Sequence, residues 1–116
     1  MIDIVFERQP IRLRLKGHAG AGVPGQDMIC CAASVMAYTA AANVRAMTRK
    51  GWVKKARIRL APGDTEILCT PFAGSREPVR ARMDALCLGF GLLAREYPEF
   101  VRFRTEKGEV SYEEET

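Results

Sequence analysis

Along residues 2–8, Ile2, Ile4 and Phe6 alternate with Asp3 and Glu7, a period of two that predicts a strand with one buried face. The alternation breaks at Gln9-Pro10 and resumes over 11–16, where Ile11, Leu13 and Leu15 alternate with Arg12, Arg14 and Lys16. So short a break predicts a hairpin. Residues 17–26 (GHAGAGVPGQ) carry Gly17, Gly20, Gly22 and Gly25 together with Pro24, a composition foreign to the interior of any regular element. From Met28 to about Thr48 the chain is rich in alanine, the best helix former, and Asp27 stands where an N-cap belongs. The small side chains of Ala32, Ala33, Ala37, Ala40, Ala41 and Ala42 allow this helix to lie close to its neighbour.

Gly51 ends the helical region. Residues 52–60 and 65–70 read as two more strands, joined by the turn cluster Ala61-Pro62-Gly63-Asp64. A second helix starts near Ser75, with Glu77 and Pro78 in its first turn. Val79, Met83, Leu86, Phe90, Leu93 and Tyr97 recur at alternating spacings of four and three, which is a helical stripe. Gly89 and Gly91 interrupt it at about 1 kcal/mol each relative to alanine, unless a close neighbour needs the space. Pro98 stops the helix, and 100–104 alternates as a last strand. The order β-β-α-β-β-α-β predicts an α+β fold, a mostly antiparallel sheet covered by two helices. One domain over 1–105 is expected, followed by an acidic tail over 106–116.

With 116 residues, 47% hydrophobic and 28% charged, the chain has the size and composition of one globular domain. No apolar run approaches the roughly 18 residues of a membrane span, and Met1 leads directly into a strand pattern. The expectation is therefore a cytoplasmic protein without a membrane partner. Its cysteines, at 30, 31, 69 and 87, form no C-x-x-C and are expected as reduced thiols. A single histidine excludes a His-rich metal site and any two-histidine mechanism within one chain, so no metal or cofactor is expected.

Charge adds a rival function. The net charge is +4, and setting aside the −4 carried by Glu109, Glu113, Glu114 and Glu115 leaves +8 on residues 1–108. A basic body suits RNA or a ribosome surface. Arg12, Arg14, Lys16, Arg57 and Arg59 alternate outward on strands, where they can meet phosphate. A noncatalytic ribosome-associated or RNA-binding module is thus the alternative reading, although the aromatic pattern of the common RNA-binding sheet is missing.

The candidate chemistry lies between residues 17 and 34. The lone histidine, His18, follows a strand and opens the glycine loop, and Cys30 falls at the third position of the helix that Asp27 caps. Free N–H groups and the positive end of a helix favour a thiolate, which lowers a cysteine pKa. His18 can then act as general base or hold the thiolate as an ion pair, and amides of the first helical turn can hold an oxyanion. On spacing alone, a loop histidine with an unrelated core cysteine remains equally open. Asp27 is open to two roles, as helix cap or as a third member orienting His18.

The stretch GHAGAGVPGQDMICCAAS resembles the signature of the ribosomal-processing cysteine proteases, the Prp family. Gly17, His18 and Ala19 match its start, and Gly25, Asp27, Cys30, Ala32, Ala33 and Ser34 match its second half. The resemblance implies His18 as catalytic base and Cys30 as nucleophile. It further implies removal of an N-terminal extension from a bacterial large-subunit ribosomal protein precursor, a homodimer, and a substrate-binding loop containing Gly17, Gly20, Gly22 and Gly25. Ser34, one turn after Cys30, is a supporting candidate. The chain departs from the family at Cys31, a second thiol where a small residue is usual, and at Val23-Pro24 within the loop. Cys69 and Cys87 are expected to be buried and inert, and Trp52 to pack.

Overall fold

The two alternating segments at the start become β1 (Ile2–Arg8) and β2 (Ile11–Lys16), antiparallel with Ile4 opposite Leu15 and Phe6 opposite Leu13. The computed structural model describes residues 1–19 and 27–105, so Gly20, Gly22, Gly25 and the acidic tail lie outside the described residues. After α1 (Met28–Arg49) come β3 (Val53–Ala61) and β4 (Asp64–Pro71), a second antiparallel hairpin. A short 3-10 turn over Ala73–Ser75 leads into α2 (Arg76–Glu96), and β5 (Val101–Thr105) completes the sheet. The strands lie in the order β3-β4-β2-β1-β5. Only the β1–β5 pair is parallel, so the sheet is mixed and mostly antiparallel, within the expected α+β class.

Both helices cover one face. The buried side is continuous across β4, β2, β1 and β5: Cys69 pairs with Ile11, Ile67 with Leu13, and Ile4 with Phe103, whereas β3 at the edge buries only Val53. Phe6, Ile4, Leu13, Ile67, Val44, Met47, Val79, Met83 and Phe90 are fully enclosed there. Each such side chain contributes about 1.5–3 kcal/mol relative to exposure, which makes this layer the main stabilising element.

Alanine explains how α1 fits. Ala33, Ala37, Ala40 and Ala41 are buried and Ala42 is exposed, so the small residues mark the inner face. By length and composition α1 is apolar enough to cross a membrane, which corrects the expectation that no such run exists. Its apolar face is committed to the sheet and to α2 instead. The stripe on α2 is buried at Val79, Met83 and Phe90 and half-buried at Leu86 and Leu93. Tyr97 departs from it, because it stands at the helix C-cap, where its side chain is exposed. Gly89 has the close neighbour that a helical glycine calls for: a Cβ there would come 2.5 Å from Met36 Cε on α1.

The packing of α1 can be tested by size. Ala40→Leu, at a fully enclosed position, should lower stability by about 1–3 kcal/mol through overpacking. Ala42→Leu, on the outer face, should leave it within about 0.5 kcal/mol. Urea denaturation of the two variants distinguishes them, and equal stabilities would mean that α1 does not sit against the sheet as described.

Candidate active site

The strand β2 ends at Lys16, and Gly17 follows with a left-handed φ of +98°. Only glycine suits this corner, since a Cβ would run into the Met1 carbonyl oxygen. The Gly17 N–H donates to the Gly63 carbonyl in the β3–β4 turn at 2.9 Å, and the terminal amine of Met1 donates to the His18 carbonyl. These two bonds fix the backbone on both sides of the His18 Cα. The side chain of His18 is exposed toward a cleft of about 270 Å³.

Cys30 reaches the same cleft from α1. Asp27 is the N-cap: its Oδ1 accepts the Cys30 N–H at 3.0 Å, and its carbonyl accepts the Cys31 N–H at 3.1 Å. The cap therefore occupies two amides of the first helical turn that sequence reasoning offered as oxyanion donors. A different amide stands at the sulfur. The Ala19 N–H donates to Cys30 Sγ at 3.2 Å, across eleven residues of sequence. Among the described residues no hydrogen bond joins the His18 ring to Cys30. An unliganded site often holds its catalytic groups at such looser spacing.

The electrostatics reverse one expectation. The Cys30 thiol is pushed above its ordinary pKa, first by burial and then by the hydrogen-bonding and charge of Asp27. The Ala19 amide pulls in the opposite direction without overcoming them, and Cys31 adds to the rise. A half-buried sulfur beside a carboxylate disfavours negative charge, which runs against the lowered pKa expected from the helix terminus.

Ser34, Ala33 and Ala37 continue the cleft wall along α1, with Tyr38 at its rim. The opposite wall is the β3–β4 hairpin: Leu60, Ala61, Pro62, Gly63, Asp64 and Thr65. Sequence reasoning treated these residues only as strand and turn. The available signal was Gly63 itself, a turn glycine whose neighbours in space no local pattern reveals. Cys31 is exposed, in contrast to the half-buried Cys30. Cys69 and Cys87 are buried, and burial pushes their thiols up to about 11 and about 12, respectively, in line with inert core positions. Trp52 packs half-buried between Arg82 and Lys50, whose cationic groups stand 5.0 and 5.4 Å from its ring centroid.

A helix-borne cysteine and a strand-end histidine thus line one cleft. The family described as cysteine protease Prp matches residues 1–102, and the chain belongs to that family. A search of curated protein sequences finds no match. Among solved structures, the fold is similar to that of the essential ribosomal processing protease Prp from S. aureus with a covalently linked product peptide. That likeness has a TM-score of 0.72 at 18% identity and covers 91% of this chain and 100% of the other. The same S. aureus protease with a substrate peptide gives 0.63 at 17% identity, covering 90% and 97%. SMU.848 from Streptococcus mutans gives 0.60 at 24% identity, covering 90% of each chain.

Asp27 sets up a sharp test of these electrostatics. Asn caps a helix as well as Asp does, so Asp27→Asn keeps the bond to the Cys30 amide and removes the charge. The carboxylate favours the protonated thiol, so its loss lowers the Cys30 pKa. Alkylation of Cys30 by iodoacetamide, followed by mass spectrometry across pH, should therefore begin at lower pH in the variant. An unchanged profile would assign the raised pKa to burial alone.

Proposed function

We propose that the protein is a ribosomal-processing cysteine endopeptidase, in which Cys30 is the nucleophile and His18 the general base. The observation that carries this reading is that Cys30, whose sulfur receives the Ala19 N–H, and His18 line one cleft in a chain of the Prp family. His18 takes the thiol proton as sulfur attacks the scissile carbonyl, and returns it to the leaving amine. Water then hydrolyses the acyl-enzyme. The Ala19 N–H steadies the developing thiolate. No cofactor enters these steps. The substrate is the N-terminal extension of a bacterial large-subunit ribosomal protein precursor, bound as an extended peptide in the cytoplasm, where the free thiols suit a reducing environment.

The noncatalytic RNA-binding reading is less favoured. Arg12 and Arg59 do face outward, but Arg12 bonds Glu66 at 2.7 Å and Arg59 bonds Asp64 at 3.1 Å. Arg12 holds the Glu66 carboxyl below its ordinary pKa, so this pair stays charged and matched at neutral pH.

Two measurements test the proposal. A peptide spanning the precursor extension should be cleaved by the wild type, with products identified by mass spectrometry. Cys30→Ala should abolish cleavage, while Cys31→Ala keeps most of it, because Cys31 points about 100° around the helix. Loss only in Cys31→Ala would move the nucleophile by one residue, and tight RNA binding without cleavage would favour the rival.

The working unit is a homodimer. Val35 and Tyr38 on α1 are 62% and 59% exposed, and Leu88 and Leu92 on α2 are 40% and 48% exposed. Exposed apolar residues at one-turn spacing suit an interface between copies. Sedimentation equilibrium should give twice the chain mass, and Leu88→Glu/Leu92→Glu should shift it toward the monomer. A monomeric wild type would end this part of the proposal.

A further inference from the structure

The β3–β4 turn does more than close a hairpin. Gly63 has a left-handed φ of +68°, and its carbonyl receives the Gly17 N–H. The imidazole of His18 lies directly against its Cα. A Cβ built at Gly63 would stand 2.6 Å from His18 Nε2, 3.1 Å from Cε1 and 3.3 Å from Cδ2. The edge of the ring that carries Nε2 therefore rests against the turn, and the turn, His18 and Cys30 line one cleft.

We propose that Gly63 is the positioning residue for His18: its bare Cα leaves the space that the Nε2 edge of the ring occupies, and any side chain there displaces the ring. This rests on the reading of His18 as general base. The His18 side chain is exposed, so it yields by rotating rather than by breaking the fold. The consequence of a Cβ is thus a misplaced base more than a lost core contact. A displacement of about 1 Å in a catalytic group can cost on the order of a hundredfold in rate.

The molecule supplies its own control. Gly51 has a similar φ of +80°, yet a Cβ at Gly51 meets nothing within 4 Å. The same substitution at both positions therefore imposes the same kind of backbone strain, but only one touches His18. Asn tolerates left-handed backbone better than other residues and serves as a second replacement should alanine unfold the hairpin.

Gly63→Ala and Gly63→Asn are compared with Gly51→Ala and Gly51→Asn by thermal melting, peptide cleavage and proton NMR. His18 is the sole histidine, so its ring signals are unambiguous. Matched substitutions should lower the melting midpoint by similar amounts. The Gly63 variants should lose roughly ten- to a hundredfold in kcat with KM changed less than about threefold, and their His18 ring signals should move. The Gly51 variants should keep wild-type kcat and ring signals. Unmoved ring signals at Gly63, or moved signals with unchanged kcat, would overturn the positioning role. A wild type that cleaves no precursor peptide would instead overturn the protease reading, and the NMR comparison would still report whether Gly63 sets the ring.

Discussion

The bond from the Cys30 amide to the Asp27 carboxylate is where the design of this protein turns. It fixes where α1 begins, and the start of α1 fixes where the thiol stands. A cap of this kind contributes about 1 kcal/mol to the helix. The same carboxylate also opposes ionisation of the sulfur it positions. Order at the helix start thus comes with a less acidic thiol. Such a thiol suits the proposed mechanism, in which His18 takes its proton only when substrate is present. It suits less well a site built on a standing thiolate–imidazolium pair.

Everything else in the fold serves to bring a loop and a turn to that helix terminus. Alanines on the inner face let α1 lie close over the sheet, so its first turn meets the end of β2. The β2–β4 pairing then brings Gly17 beside Gly63, and the two backbones bond. The His18 ring rests against Gly63 of the turn, and His18 and Cys30 line one cleft. The cleft exists because two hairpins and one helix end at the same edge of the sheet.

The opposite face of the sheet has a different chemistry. Arg12, Arg59, Arg102 and Arg104 lie there beside Glu66, Asp64 and Asp3, paired across strands. Exposed pairs of this kind add little stability individually. They do balance part of the positive charge that the composition alone presents as available to phosphate. The Nε of Arg14, in the middle of this face, is buried and has no hydrogen-bond partner among the described residues.

Much of this was legible in the order of residues. Period-two alternation located the strands, the alanine run and the four-three stripe located the helices, and Asp27 declared itself as a cap, because these signals act over a few residues. The motif joining His18 to Cys30 was legible for the same reason. Three matters were decided only by tertiary structure. Parallel pairing of β5 with β1 joins residues about a hundred positions apart, which no local pattern encodes. The direction of the Cys30 pKa follows from burial and from the carboxylate beside it, whereas the sequence showed only a helix terminus. Finally, Gly63 reads locally as an ordinary turn glycine. Its relation to His18 appears only when the sheet brings two loops together, since close contact between distant backbones belongs to the fold and to no segment of the chain.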